Sequence, residues 1–186
     1  WFNDGVNDTA TVVRNCVFQN ASYDYEWYPA MRIINASVSV DSCVFRNNAY
    51  NLSIEGRSKP IISNSTFKPT SIVNQMARNI TMDMNANPIF INDSLQFNAS
   101  EIRAMRLRGT TVTGNDAKLK KLSFIDIENI SYCLYDNTIV HDTAKLMIDP
   151  GVVVKWRDNG DALTGNGRIT AVGTDAEPIV FTHIAD

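Results

Sequence analysis

The sequence predicts an all-β parallel solenoid with coils of roughly 22–27 residues. Three observations carry the prediction. First, "RNCVFQN" (14–20) returns as "DSCVFRN" (41–47) and, more faintly, as "SNSTFKP" (63–69). Aligned on Phe18, Phe45 and Phe67, the copies stand roughly 22–27 residues apart, inside the period of about 20–50 residues that marks solenoids and arrays. Second, the apolar residues alternate or run in short bursts, as in "SVSVDSCVF" and "PIISNSTF". That is strand patterning, and no stretch sustains a capped helical face. Third, the punctuation between bursts is Asn, Asp, Ser and Gly, residues that tolerate left-handed backbone or bond their own main chain at bends.

The first coils follow from the repeat. One coil cannot bury its inward side chains by itself, and stacking makes the core continuous. Equivalent positions then sit above one another. Cys16, Cys43 and Ser65 are expected to form one inward column and Phe18, Phe45 and Phe67 another, with the two cysteines as packed thiols. A leucine-rich horseshoe is the main rival, but no L-x-x-L-x-L frame recurs.

The coils "LSIEGRSKPIISNSTF" (52–67) and "ITMDMNANPIFIND" (80–93) resemble coils of the right-handed parallel β-helix, the pectate-lyase-like fold. The stretch "TAKLMIDPGVVVKWRDNGDALTGNGRITAVGTDAEPIVFTHIAD" (143–186) is similar to the pattern that opens a β-helix in many large secreted or surface-displayed microbial proteins. Its parts have physical reasons. Pro150-Gly151 suits the centre of a type II turn. In "VVVKW", Val152, Val154 and Trp156 face one way, Lys155 and Arg157 the other. Gly160, Gly165, Gly167 and Gly173 mark corners. Because this opening pattern follows coils already under way, the expected organisation is one β-helical unit over 1–109, a transition over 110–142, and the opening coils of a further unit over 143–186. The chain is expected to be a segment of a longer protein with neighbouring domains.

Composition narrows the function. The 186 residues hold 17 basic and 20 acidic side chains with the signs mixed, for a net charge of −3. Nucleic-acid binding needs a clustered basic face, so no nucleic-acid partner is expected. No apolar run approaches the roughly 20 residues of a membrane-spanning helix. Neither His141 nor His183 has a ligand at zinc spacing, and no G-x-S-x-G elbow occurs.

Enzymes of the resembled fold place paired acids, or Ca2+ with a basic residue, on one strand face. Four acids are candidates: Asp126 and Glu128 in "DIE", expected on one strand face about 7 Å apart, for which an ordinary exposed strand face is the stronger reading, and Asp158 and Asp161 in "DNGD", for which a solvated turn is the stronger reading. Asp83, Asn85 and Asn87 in "MDMNAN" could offer oxygens to Ca2+, although a calcium loop normally brings more carboxylates. No other cofactor is expected. The stretch "SYDYEWYP" (22–29) sets Tyr23, Tyr25 and Trp27 on one face of an extended loop, a candidate platform for sugar rings, with a fold-back against the solenoid flank as the even alternative. Nine Asn-x-Ser/Thr triplets begin at Asn7, Asn20, Asn35, Asn51, Asn64, Asn79, Asn92, Asn98 and Asn129, against about three expected by chance. They track the coil repeat, so bend chemistry outweighs glycosylation; both readings fit an extracellular chain.

The expected function is a non-catalytic extracellular β-helix module of a surface or secreted protein, structural or adhesin-like and in contact with polysaccharide or cell-surface glycan. A fragment of a polysaccharide lyase or glycoside hydrolase is the alternative. Ice binding needs outward T-x-T ladders, and only "TVT" (111–113) occurs.

Overall fold

The computed structural model describes residues 1–3, 10–22, 28–68, 79–98, 102–158 and 160–186. They contain strands, turns and bends but no helix, so none long and apolar enough to cross a membrane. Every strand pair is parallel, and about six turns stack into a β-solenoid. One long sheet holds seven strands: Met31–Ile34, Leu52–Glu55, Ile80–Met82, Ala104–Arg108, Ser131–Tyr135, Val153–Trp156 and Val180–His183. Two four-stranded sheets complete the early coils. The first takes Val12–Arg14, Ser39–Asp41, Ile61–Ser63 and Ile89–Ile91; the second takes Val17–Gln19, Val44–Arg46, Thr66–Phe67 and Ser94–Leu95. Two three-stranded sheets complete the later ones. These are Thr111–Val112, Thr138–Val140 and Leu163–Gly165, then Ala117–Leu119, Lys145–Ile148 and Arg168–Ala171. The flanking sheets therefore change between residues 95 and 111, while the long sheet runs through without a break.

Register places the repeat where its sequence implies. Phe18 pairs with Phe45 and Phe45 with Phe67. Their rings stack at 4.7 and 4.8 Å, 6° and 12° from parallel. The strand spacing of about 4.8 Å is close to a ring-stacking distance, so identical residues one coil apart meet face to face. Cys16 lies beside Cys43, whose backbone N–H bonds Ser65 Oγ, and all three cysteines are free thiols. The long sheet carries one inward column through all its strands: Ile33, Ile54, Met82, Leu107, Leu134, Trp156 and His183. The coils are unequal in length, for Met31 pairs with Leu52 but Leu52 with Ile80.

The corner between the two four-stranded sheets shows how the sequence bends the chain. Asn15, Ser42, Asn64 and Asn92 occupy it in successive coils with φ of 53°, 54°, 52° and 53°. A single left-handed residue turns the strand, and Asn accepts that conformation at least cost among residues with a side chain. The hydrogen-bond ladder continues through the bend, from Asn15 N–H to Asp41 C=O, Ser42 to Ser63 and Asn64 to Ile91. At the second corner residue the N–H leaves the backbone ladder for a side chain of the next coil, Cys43 N–H to Ser65 Oγ at 3.1 Å and Ser65 N–H to Asp93 Oδ1 at 2.7 Å, so these donors stay paired through the turn. At Pro150-Gly151 the expected type II turn forms: Gly151 has φ of 76°, and Asp149 C=O accepts from Val152 N–H at 3.3 Å.

Candidate functional site

On the long sheet, residues alternate between the core and the outer face. The outer residues form two columns. One runs Arg32, Ser53, Thr81, Arg106, Cys133, Lys155 and Thr182. Beside it lie Ile34, Glu55, Asp83, Arg108 and Tyr135; Asp83 is placed by the bond from its N–H to Ile54 C=O. Acids and basic residues thus meet in register on one face, the arrangement that a search of local sequence does not find.

Glu55 is at its centre and only 8% exposed. Arg32 donates to both its oxygens, Nε to Oε1 at 2.7 Å and Nη2 to Oε2 at 2.6 Å. Ser53 Oγ and Arg108 Nη1 also donate to Oε1, at 2.7 and 2.9 Å. Burial pushes the Glu55 pKa up, but the hydrogen bonds from Arg32 and Ser53 and the charges of Arg108 and Arg32 outweigh it, leaving the carboxyl below its usual range. Asp83 goes the other way. Burial raises its pKa and the Glu55 charge adds to the rise, against the hydrogen bond from Gly56 N–H at 2.8 Å and the charges of Arg108 and Arg32. Adjacent carboxyls whose environments push their pKa values apart separate an anion from a group that keeps its proton more readily.

Aromatic rings extend the set along the face. The Arg32 guanidinium sits 4.9 Å from the Trp1 ring centroid. Tyr135 is held between two guanidiniums, Arg106 at 4.3 Å and Arg157 at 4.8 Å. Between Ser53 and Arg106 in register, the Thr81 hydroxyl is buried with no hydrogen-bond partner among the described residues.

Apart from Asp83, the candidates read from local sequence fall elsewhere. Asp126 and Glu128 do not share a strand face: Phe124 and Ile127 bond each other in both directions at 2.8 and 3.1 Å, closing a turn with Asp126 at its tip. Ser94 Oγ donates to Asp126, and Glu128 is exposed. Asp161 accepts from the N–H groups of Asp136 and Asp158, each at 3.0 Å, while Asp158 pairs with Arg157 at 2.6 Å, so both acids serve a corner. In the Asp83–Asn85–Asn87 run, Asn87 Oδ1 is buried with no hydrogen-bond partner among the described residues. Asn85 bridges to the next coil, taking Thr113 N–H at 3.1 Å and giving to Thr111 C=O at 2.9 Å, while Asp83 belongs to the acid pair. Among the described residues no three His, Cys, Asp or Glu side chains gather as a metal site. Tyr23, Tyr25 and Trp27 lie outside the described residues; the neighbouring Tyr28 is exposed.

Glu55 and Arg108, which local sequence did not single out, carried a faint signal. "IEG" (54–56), "MDM" (82–84) and "LRG" (107–109) each put an inward apolar residue directly before an outward charge. Reading the column Ile54–Met82–Leu107 first would have lined up Glu55, Asp83 and Arg108. No family model, no curated protein and no solved structure matches the chain.

Proposed function

We propose that this chain is a non-catalytic extracellular module, a stiff β-solenoid of a surface or secreted protein that holds neighbouring domains apart and touches glycans along one corner. The supporting observation is that Glu55, the most deeply placed acid on the long sheet, spends its acceptors on Arg32, Arg108 and Ser53. A group so occupied serves as a clasp between coils. The connections that vary most join a short sheet back to the long one: residues 20–30, 68–79, 96–103 and 120–130, against two-residue corners such as 15–16, 42–43 and 64–65. In repeat proteins such variable connections gather on the binding side. Resemblance to secreted pectate-lyase-like proteins and the Asn-x-Ser/Thr excess support the extracellular placement. The test is incubation with acidic and neutral polysaccharides. Retention on one of them without new reducing ends or unsaturated products supports the module; release of product overturns it.

A second reading is favoured by Asp83 alone. Half-buried, with its pKa raised and an anionic Glu55 beside it, Asp83 is equipped to lend a proton to the leaving oxygen in glycan cleavage. Activity that vanishes in Asp83→Asn while the thermal unfolding curve stays unchanged would establish it.

A further inference from the structure

A groove of about 210 Å³ opens beside the long sheet, lined by Leu95, Gln96, Phe97, Arg103, Asp126 and Ile127. We propose that it seats one neutral pyranose ring of a glycan chain; this rests on the glycan-contact reading above and gives it an address. Gln96, Phe97 and Arg103 come from the described parts of the connection 96–103, and Asp126 and Ile127 from the connection 120–130, two of the variable ones. Its volume is below the roughly 300–1,000 Å³ of pockets that enclose drug-sized ligands, which suits a single ring.

The lining has the two kinds of surface a sugar needs. Phe97 and Ile127 pack partly against the core and present the rest of their surface to the groove, a patch for the C–H face of a pyranose. Gln96, Arg103 and Asp126 supply donors and acceptors for hydroxyls. Asp126 is oriented: Gln96 Nε2 donates to Ser94 Oγ at 3.3 Å, and Ser94 Oγ in turn donates to one Asp126 oxygen. The Arg103 side chain has no hydrogen-bond or ion-pair partner among the described residues, so its donors are available. An anion and a cation lining one small groove favour a neutral polyol, because a uronate carboxylate drawn to Arg103 would meet the charge of Asp126.

The test is a ¹H–¹⁵N titration of the whole chain with methyl glucoside, methyl galactoside and N-acetylglucosamine, with galacturonate as the charge control. A single ring with few contacts gives a dissociation constant on the order of millimolar. Shifts should centre on Gln96, Phe97, Arg103 and Ile127, with galacturonate weaker than the neutral sugars. Asp126→Ala and Arg103→Ala, both exposed side chains, should each weaken binding about tenfold with unchanged melting. The proposal falls if no neutral sugar shifts these resonances well above the millimolar range, or if binding survives both substitutions. Retention of the chain on polysaccharide that persists in Asp126→Ala sinks the groove and leaves the glycan-contact reading standing; absence of retention in the unaltered chain sinks that reading.

Discussion

Arg108 Nη1 lies 2.9 Å from Glu55 Oε1 although a whole coil, the one carrying Asp83, stands between their strands. With Arg32 on the other side, Glu55 therefore ties the coil of Arg32 to that of Arg108. Truncating one member of a buried ionic set leaves the others charged without a counterion. Glu55→Ala should cost about 3–5 kcal/mol in urea denaturation, with Glu55→Gln costing less because it keeps an acceptor. The pKa of Glu55 is lowered on folding, so its contribution is full above the unfolded value and is lost as pH falls through the folded one. Acid should narrow the gap between Glu55→Gln and the unaltered chain; a gap constant with pH would show the clasp to be absent.

Phe45 is the middle ring of the stack and is fully buried. Phe45→Ala should destabilise by about 3–5 kcal/mol, since the cavity opens between two rings that cannot close over it. Phe45→Leu should cost less. Phe18→Ala, at a half-buried ring with one stacking neighbour among the described residues, should cost less than Phe45→Ala by the same denaturation measurement.

Asp93 is 1% exposed and closes the column of Cys16, Cys43 and Ser65. It accepts from the N–H groups of Ser65 at 2.7 Å and Ile91 at 3.0 Å. Burial raises its pKa to about 6 in spite of these bonds, and the charge of Asp41 adds to the rise. Between about pH 4 and 6 the folded chain holds a proton that the unfolded chain has released. Stability therefore falls as pH rises through that window, by about 3 kcal/mol from this group. Asp93→Ser copies the preceding coil, where Ser65 Oγ accepts from Cys43 N–H at 3.1 Å. Urea midpoints at pH 4.5, 5.5 and 7 should show the serine variant gaining on the unaltered chain with rising pH; parallel curves would count against the buried charge.

The Asn-x-Ser/Thr triplets divide by burial. Asn51 and Asn79 are 1% and 5% exposed; Asn51 Nδ2 donates to Lys68 C=O at 3.0 Å and to Asn79 Oδ1, and Asn79 Nδ2 donates to Gln96 C=O at 2.6 Å. A glycan on either nitrogen would break this interior ladder. Asn20, Asn35, Asn64 and Asn92 are exposed at left-handed corners. Secreted from a glycosylating host, the folded chain should carry glycan at some of these four and none at Asn51 or Asn79. Mass spectrometry of protease-resistant material bearing glycan at Asn51 would refute this.

The recurring Cys-Val-Phe echo, the alternation and the Asn corners determined the fold class, the aromatic stack and the side of each strand that faces the core. These are local properties: a side chain points in or out by strand parity, and a left-handed corner is one residue's choice. Tertiary structure decided which charges meet. Glu55 finds Arg32 23 residues back and Arg108 53 residues ahead, and Asp83 falls between them although the coils on either side differ in length. Coil lengths vary mostly in the connections back to the long sheet, which keeps its pairing throughout, so no fixed period predicts which charges align. The same freedom left "DIE" to close as a turn at Phe124–Ile127 rather than extend as a strand. Stacking rewards apolar register and tolerates any loop length, so the core was legible in the sequence and the charged face was not.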